Sequence, residues 1–159
     1  MKIRKYLKKD LPDIVRINVY CWKHNYKGNV DQAYLDSISY QKQLKKRSNK
    51  EIKGNIFVSE IDGKVVGFIH GGKSRDGEEF PPYEIRGLYI DPNHQGKGIG
   101  TKLFQFIIDL YSIKSFYLWT LKNNPQSEGF YQKMGGVKFG EKTREFGGYP
   151  IQEVGYKWK

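Results

Sequence analysis

Apolar residues along the chain recur every three or four positions or stand in short runs, and this spacing predicts the order of the elements. A helical spacing covers residues 11–21, where Asp10 can cap the helix N-terminus and Pro12 suits its first turn. Residues 34–46 have a second helical pattern. We therefore expect a first strand over residues 1–6, followed by two helices.

The later patterns are mostly those of strands. Asp62 and Gly63 separate two strand-like runs and predict a hairpin, and Gly147 and Gly148 separate the last two strands. Helices are expected from about Gly100 and over residues 124–134, and strands over residues 55–60, 64–71, 83–90, 115–121, 137–141 and 151–158. The predicted order is β-α-α-β-β-β-α-β-α-β-β, in one α/β (α+β) domain over residues 1–159 with about seven strands and about four helices.

The segment from residue 85 to residue 106 is the most informative part of the chain, because it predicts a strand, a glycine-rich turn and a helix in that order. Glycine adopts positive φ easily and has no Cβ, so the backbone N–H groups around Gly96, Gly98 and Gly100 can turn towards one point. The following helix N-terminus adds unpaired N–H groups and the positive end of its dipole. These features predict a site for an anion such as phosphate.

Two other phosphate-binding motifs fit less well. The dinucleotide motif GxGxxG requires a small residue at position 101, where Thr101 stands, and no acidic residue ends a plausible next strand. Residues 67–74 match the Walker A pattern formally, but residues 75–82 cannot form the helix that must follow it. We therefore reject both nucleotide-binding interpretations.

Residues 95–100, QGKGIG, match the Q/R-x-x-G-x-G/A motif of the GCN5-related N-acetyltransferases (GNAT). The similarity extends to residues 88–92 before the turn, to Asn124, and to residues 130–136, FYQKMGG, which resemble the N…FY-x-K-x-G-F block of that family. Gly136 stands where the family usually has an aromatic residue, and we expect looser packing there. Over nearly its whole length the chain resembles a small bacterial-type member of this family.

This resemblance implies a fold and a co-substrate, acetyl-CoA. The central sheet is expected to be mixed and mostly antiparallel, with the strands at residues 83–90 and 115–121 parallel and splayed apart around the thioester arm. Backbone groups of Leu88 and Ile90 would hold the pantetheine and polarise the acetyl carbonyl. Asn124 would touch the pantetheine or serve only as a helix N-cap. The residues implied in coenzyme A binding are Leu88, Tyr89, Ile90, Gln95, Gly96, Lys97, Gly98, Ile99, Gly100, Thr101, Asn124 and Tyr131.

The resemblance also suggests catalytic groups. Tyr131 matches the family tyrosine that commonly protonates the coenzyme A thiolate, and a phenol remains protonated at neutral pH. Glu84 is the candidate base and acceptor contact, acting through water; alternatively it is a strand carboxylate paired with a cation. Trp22 and Tyr26 could wall an acceptor pocket or belong to the helix core. The expected reaction is acetyl transfer to a primary amine by direct attack in a ternary complex.

The charge bears on the partners. The formal net charge of +11 favours an acidic acceptor, but solvated surfaces would explain it equally well. The acceptor stays open between a small amine and a protein or peptide amine. Two alternatives to an enzyme are a non-catalytic acyl-CoA-binding or regulatory module and a basic nucleic-acid-associated protein. Because no nucleic-acid-binding motif accompanies the charge, we do not expect nucleic acid as a partner.

The cysteine and histidine content bears on the compartment and on metals. Cys21 is the only cysteine and the three histidines are scattered, so neither an internal disulfide nor a structural zinc site is expected. No apolar run approaches the length of a membrane span. We expect a cytoplasmic monomer or homodimer that uses no metal.

Overall fold

The structure is a computed structural model that describes residues 1–159. Its strands are β1 (Lys2–Lys5), β2 (Asn55–Ile61), β3 (Lys64–Lys73), β4 (Tyr83–Ile90), β5 (Phe116–Leu121), β6 (Val137–Phe146) and β7 (Tyr149–Trp158). Its helices are α1 (Leu11–Asn25), α2 (Gln32–Ser37), α3 (Tyr40–Ser48), α4 (Ile99–Leu110) and α5 (Pro125–Lys133). Short 3₁₀ turns at Lys8–Asp10 and Pro92–His94 complete the chain.

All seven strands join one mixed sheet in the order β1-β2-β3-β4-β5-β7-β6, in which β4 and β5 are the one parallel pair. The hairpin between β2 and β3 turns at Asp62 and Gly63, both at positive φ, as predicted. The last hairpin turns at Gly147 and Gly148, and its strands extend beyond the predicted ranges. The α/β fold with a mixed, mostly antiparallel sheet is therefore confirmed.

Helices cover both faces of the sheet, because alternate residues of a strand point to opposite sides. Ile56 and Val58 of β2 pack in one cluster with Ile14 and Ile17 of α1. Phe57, between them, packs in another cluster with the buried face of α4. The apolar runs of the central strands thus contribute to a core on each face of the sheet. As for membranes, none of the helices combines the length and the hydropathy of a membrane-spanning segment.

The pattern over residues 34–46 forms two helices instead of the single one predicted. Ile38 is buried and extended, with ψ 121°, which ends α2. Ser39 then caps α3 by accepting a hydrogen bond from the Lys42 N–H to its Oγ at 3.2 Å. A helical period alone does not reveal such a break, since the apolar spacing continues through it. The structure consequently has five helices and not four.

Asp10 stands directly before α1, but its side chain does not cap that helix. The carboxylate accepts hydrogen bonds from the Arg4 guanidinium at 2.7 and 2.9 Å and from the Leu7 N–H at 2.7 Å. It is therefore a buried ion-pair partner that ties β1 to the start of α1. The predicted helix start was correct, while the predicted capping role was wrong.

Gly136 does not leave the looser packing that the missing aromatic suggested. A Cβ at this position would lie 2.6 Å from the Trp158 ring, so the indole already occupies the space beside it. Trp158 stacks on Phe116 with ring centroids 4.7 Å apart and donates from its Nε1 to the Met134 carbonyl at 2.9 Å. The last residues of β7 thus supply the aromatic group that is absent from position 136.

Candidate functional site

The splay between β4 and β5 opens the site. The two strands pair only at Tyr83↔Phe116, Glu84↔Tyr117 and Ile85↔Leu118. Beyond these three pairs the strands separate, although β4 continues to Ile90 along β3. The second half of β4 is therefore open along the edge that faces β5, as the family resemblance implied.

The backbone of β4 presents polar groups to this gap. The Asp91 N–H donates to the Val66 carbonyl of β3, so the opposite side of that peptide, the Ile90 carbonyl, faces away from β3. It accepts a hydrogen bond from the Gln95 side-chain amide at 3.0 Å. Leu88, two residues earlier, has the same orientation as Ile90 in the pleat. Its N–H and carbonyl are therefore available to a molecule in the gap.

The glycine-rich turn leads into α4 at the end of the gap. Gly96 and Gly98 have φ values of 73° and 76°, and a Cβ at either position would meet no atom within 4 Å. Their conformation, and not lack of space, therefore requires glycine. The Lys102 N–H donates to the Gly98 carbonyl, while the N–H groups of residues 99–101 before it have no acceptor in the chain. Three donors and the positive helix end thus point outwards together.

A cavity of about 330 Å³ joins the gap to this turn, and we call it the glycine-loop cavity. Almost all of the residues predicted to bind coenzyme A line it. Lys97 does not: it is exposed, and its Nζ donates to the Asn93 carbonyl at 3.0 Å. The lining residues that were predicted are Leu88, Tyr89, Ile90, Gln95, Gly96, Gly98, Ile99, Gly100, Thr101, Asn124 and Tyr131.

Asn124 caps a helix and also lines the glycine-loop cavity. It is the N-cap of α5, where its Oδ1 accepts from the Ser127 N–H at 3.5 Å and its Nδ2 donates to the Ser127 Oγ at 3.0 Å. It also lines the glycine-loop cavity. One residue therefore starts the helix that carries Tyr131 and faces the space that Tyr131 borders.

Tyr131 lies where two cavities meet. It lines the glycine-loop cavity and also a second space of about 260 Å³, the inner cavity, which reaches between Trp22, Trp119 and Phe146. Its Oη makes no hydrogen bond within the chain, and this oxygen is not among the fully buried polar atoms. Burial raises the pKa of Tyr131 well above its ordinary value, so the phenol keeps its proton at neutral pH.

Tyr26 and Tyr89 border the same junction, and Trp22 stands behind them in the inner cavity. Trp22 packs edge-on against Tyr26, with ring centroids 4.6 Å apart, and also contacts Phe146. Burial raises the pKa of both Tyr26 and Tyr89, which therefore remain neutral hydrogen-bonding groups. Trp22 and Tyr26 thus pack against the core and also line the inner cavity.

Glu84 is not among the residues that line these cavities. It is buried, and both of its carboxylate oxygens accept hydrogen bonds from Arg75, at 2.8 and 2.6 Å. A second guanidinium, that of Arg86, lies 3.9 Å away. The structure therefore places Glu84 behind two arginines that themselves line the inner cavity.

Several charged residues of the inner cavity were missed by the sequence interpretation. Glu153 of β7 is the one carboxylate lining it, and Arg144 of β6 donates to Glu153 at 3.0 Å. One signal was available. Glu153 lies two residues after the buried Ile151 and therefore on the same face of the strand, which is an unusual place for a charge. The convergence of the arginines had no such signal, since they come from separate elements.

Cys21 lines the glycine-loop cavity, but it is 3% exposed, and its Sγ lies 3.6 Å from the Ile90 carbonyl. Burial raises the pKa of this thiol to about 12, so it is a poor nucleophile at neutral pH. No group of three histidine, cysteine, aspartate or glutamate side chains is arranged to hold a metal ion.

Comparison with known proteins gives a consistent result. The family model described as the Acetyltransferase (GNAT) family matches residues 18–136 of the chain. The chain is also similar to an uncharacterised N-acetyltransferase from Archaeoglobus fulgidus, with 33% identity over 144 residues, which is 82% of this chain and 89% of the relative.

Solved structures share the fold. The PaiA N-acetyltransferase from Thermoplasma acidophilum, solved in complex with coenzyme A, superposes with a TM-score of 0.64 at 25% identity and covers 96% of both chains. The YncA protein from Salmonella typhimurium, solved with its cofactor acetyl-CoA, gives a TM-score of 0.70 at 20% identity, over 100% of this chain and 93% of the other.

Proposed function

The chain belongs to the GNAT acetyltransferase family, and from this premise we propose that it transfers the acetyl group of acetyl-CoA directly to a primary amine, with both substrates bound together. The observation that carries the proposal is the junction of the glycine-loop cavity and the inner cavity at Tyr26, Tyr89 and Tyr131. A thioester in the first cavity and an amine in the second would meet at this junction. No enzyme-bound acyl group is then needed, in keeping with the burial of Cys21.

The glycine-loop cavity fits the donor substrate. The unpaired N–H groups of residues 99–101 suit a pyrophosphate, because they supply several donors and a partial positive charge without a side chain. Along the gap, the main-chain groups of Leu88 would hold the pantetheine as a strand holds its neighbour. The Asn124 side chain lines the same cavity at the start of α5, the helix that carries Tyr131.

Tyr131 is the proposed general acid. When the thioester breaks, the sulfur leaves as a thiolate, and a phenol in contact with it can donate a proton. The free Oη of Tyr131 has no competing partner within the chain, and its proton is retained at neutral pH. Both properties support this role.

The amine must also lose a proton. An alkyl ammonium with a pKa near 10.4 costs about 4.6 kcal/mol to deprotonate at pH 7, so a carboxylate reached directly or through water would assist. Glu84 remains the candidate predicted from the sequence, although Arg75 occupies both of its oxygens. Glu153 is the second candidate, since it lines the inner cavity together with Tyr131.

Release of coenzyme A thiol, measured with acetyl-CoA and a panel of amines, tests the proposal. Amine-dependent release together with acetylated product is the expected result. Binding of acetyl-CoA in a calorimeter without amine-dependent release would instead support an acyl-CoA-binding regulatory module. If acetyl-CoA does not bind at all, while DNA or RNA binds with salt-sensitive affinity, the enzyme assignment of the site is wrong.

A further inference from the structure

A third cavity, of about 460 Å³, adjoins the inner cavity, and we call it the basic cavity. The two share a wall that includes Trp22, His70, Arg86 and Tyr89. Tyr89 also lines the glycine-loop cavity, so the three cavities adjoin at this side chain and a path from the basic cavity to Tyr131 would run past it. The basic cavity holds five cationic side chains and one carboxylate: Lys46, Arg47, Lys50, Lys53 and Arg86 against Glu51.

The arginines along this path differ in whether their charge is already balanced. Arg75 and Arg144 are each in an ion pair, with Glu84 at 2.6 Å and with Glu153 at 3.0 Å. Arg47 has no carboxylate partner, and Arg86 is 3.9 Å from a carboxylate, that of Glu84, which Arg75 already occupies. The excess charge therefore lies on the side of the basic cavity.

Arg47, near the end of α3, is partly buried and has one side-chain partner, the Asn18 Oδ1 at 2.7 Å. Burial lowers the pKa of Arg47 from its ordinary value, because no carboxylate in contact with it compensates the lost hydration. The Arg86 terminal nitrogens donate to the carbonyls of Lys53 at 2.7 Å and Lys73 at 2.9 Å. Its Nε makes no hydrogen bond and lies 3.9 Å from the Glu84 carboxylate, whose two oxygens already accept from Arg75. Arg47 thus faces the cavity with no carboxylate partner, and Arg86 shares the single negative charge of Glu84 with Arg75.

We propose that the acceptor is a small primary amine that also carries an oxyanion, a carboxylate or a phosphate. The oxyanion binds at Arg47 and Arg86, and the amine extends past Tyr89 to the junction at Tyr131. An oxyanion matches the planar fork of a guanidinium and supplies the missing counter-charge. The same positive wall disfavours a polyamine. This inference rests on the proposed acetyl transfer, since it names the acceptor of that reaction.

The test compares acceptors that differ in one charge. Coenzyme A release is measured with glycine, γ-aminobutyrate and ε-aminohexanoate, each against its carboxamide, with phosphoethanolamine against ethanolamine, and with spermidine. We expect the anionic member of at least one pair to have a kcat/KM about tenfold or more above its neutral partner. The preferred length reports the separation of the amine and the oxyanion, and the phosphate pair distinguishes the two kinds of oxyanion.

Three variants make the test specific to the cavity. Arg47→Gln should lower kcat/KM for the anionic acceptors about 10- to 100-fold, mainly through KM, and leave the neutral partners unchanged. Lys45→Gln removes the same charge from an exposed position on α3 outside the cavity and should have no effect. Because Arg86 also holds two carbonyls in place, Arg86→Gln is informative only when its melting temperature is retained.

The outcomes separate this inference from the proposed function. A preference for neutral amines or spermidine, or an equal effect of Arg47→Gln on both members of a pair, overturns the inference and leaves acetyl transfer intact. If no amine in the panel promotes release while acetyl-CoA still binds, the proposed transfer itself fails, and the inference falls with it.

Discussion

Replacement of Tyr131 by phenylalanine removes one oxygen atom from the junction of the two cavities and little else. The Tyr131 Oη makes no hydrogen bond within the chain, so the variant leaves no buried donor or acceptor unpaired. The ring itself packs against Phe104 and Phe130, and phenylalanine retains both contacts. The free energy of unfolding should therefore change by less than about 0.5 kcal/mol.

The expected loss of rate follows from the leaving group. A thiol with a pKa near 8.5 lies about 1.5 units above pH 7, so release of the bare thiolate costs about 2 kcal/mol, or about 30-fold, more than release of the thiol. General acids commonly contribute about 100-fold or more. We therefore expect kcat of Tyr131→Phe to fall about 30- to 100-fold at pH 7 and KM for acetyl-CoA to stay within about threefold.

The pH dependence gives a second measurement. Above the thiol pKa the thiolate is stable without a proton, so the defect of the variant should shrink towards pH 9.5. Burial raises the pKa of Tyr131, and the wild-type acid therefore stays protonated over this range. Steady-state kinetics at pH 7 and pH 9.5, with circular-dichroism melts, test both points.

A matched control is Tyr156→Phe. Its phenol is buried away from the three cavities and donates to Glu128 at 3.2 Å, so this variant should lose stability and keep its kcat. The role of Tyr131 as an acid is refuted if kcat of Tyr131→Phe is unchanged at pH 7, or if its defect is the same at both pH values.

Three further variants test other parts of the structure. Gly98→Ala must hold φ at 76°, which should cost about 1–2 kcal/mol of stability in melts and raise KM for acetyl-CoA; an unchanged KM would argue against the turn as the pyrophosphate site. Glu84→Gln should lose about 1–2 kcal/mol, since its Arg75 partner is half exposed; only a base would also lose the ascending limb of the pH–rate profile. Asp10→Asn should lose about 1–3 kcal/mol at pH 7 in urea unfolding. The Arg4 guanidinium lowers the pKa of Asp10, so its stabilisation is present above pH 4 and lost at lower pH, where wild type and variant should converge.

The grouping of the predicted residues around the glycine-loop cavity could be anticipated from the sequence, because the relations that bring them together are local. Gly96 and Gly98 lie two positions apart, and the turn that they permit directs neighbouring N–H groups to one place whatever surrounds it. Asn124 caps the short helix that carries Tyr131, so the number of residues between them sets their separation. The family motifs record these short-range relations.

The acceptor half could not be predicted in the same way. Arg47 of α3 and Arg86 of β4 come together only because α3 folds back beside the sheet, and the break at Ile38 that permits this is invisible in the helical period. The position of Glu84 on β4 likewise did not reveal that Arg75 donates to both of its carboxylate oxygens.

The sequence by itself determined the order of the strands, most of the helices, the family and the residues around the glycine-rich turn, because periodicity, turn residues and a contiguous motif act over a few residues. The tertiary structure decided which charges line the inner and basic cavities and which are already paired, as it decided that Trp158 fills the space beside Gly136. These outcomes depend on distances between residues far apart in the chain. Such distances are set by the packing of helices on a twisted sheet and are absent from the order of the residues.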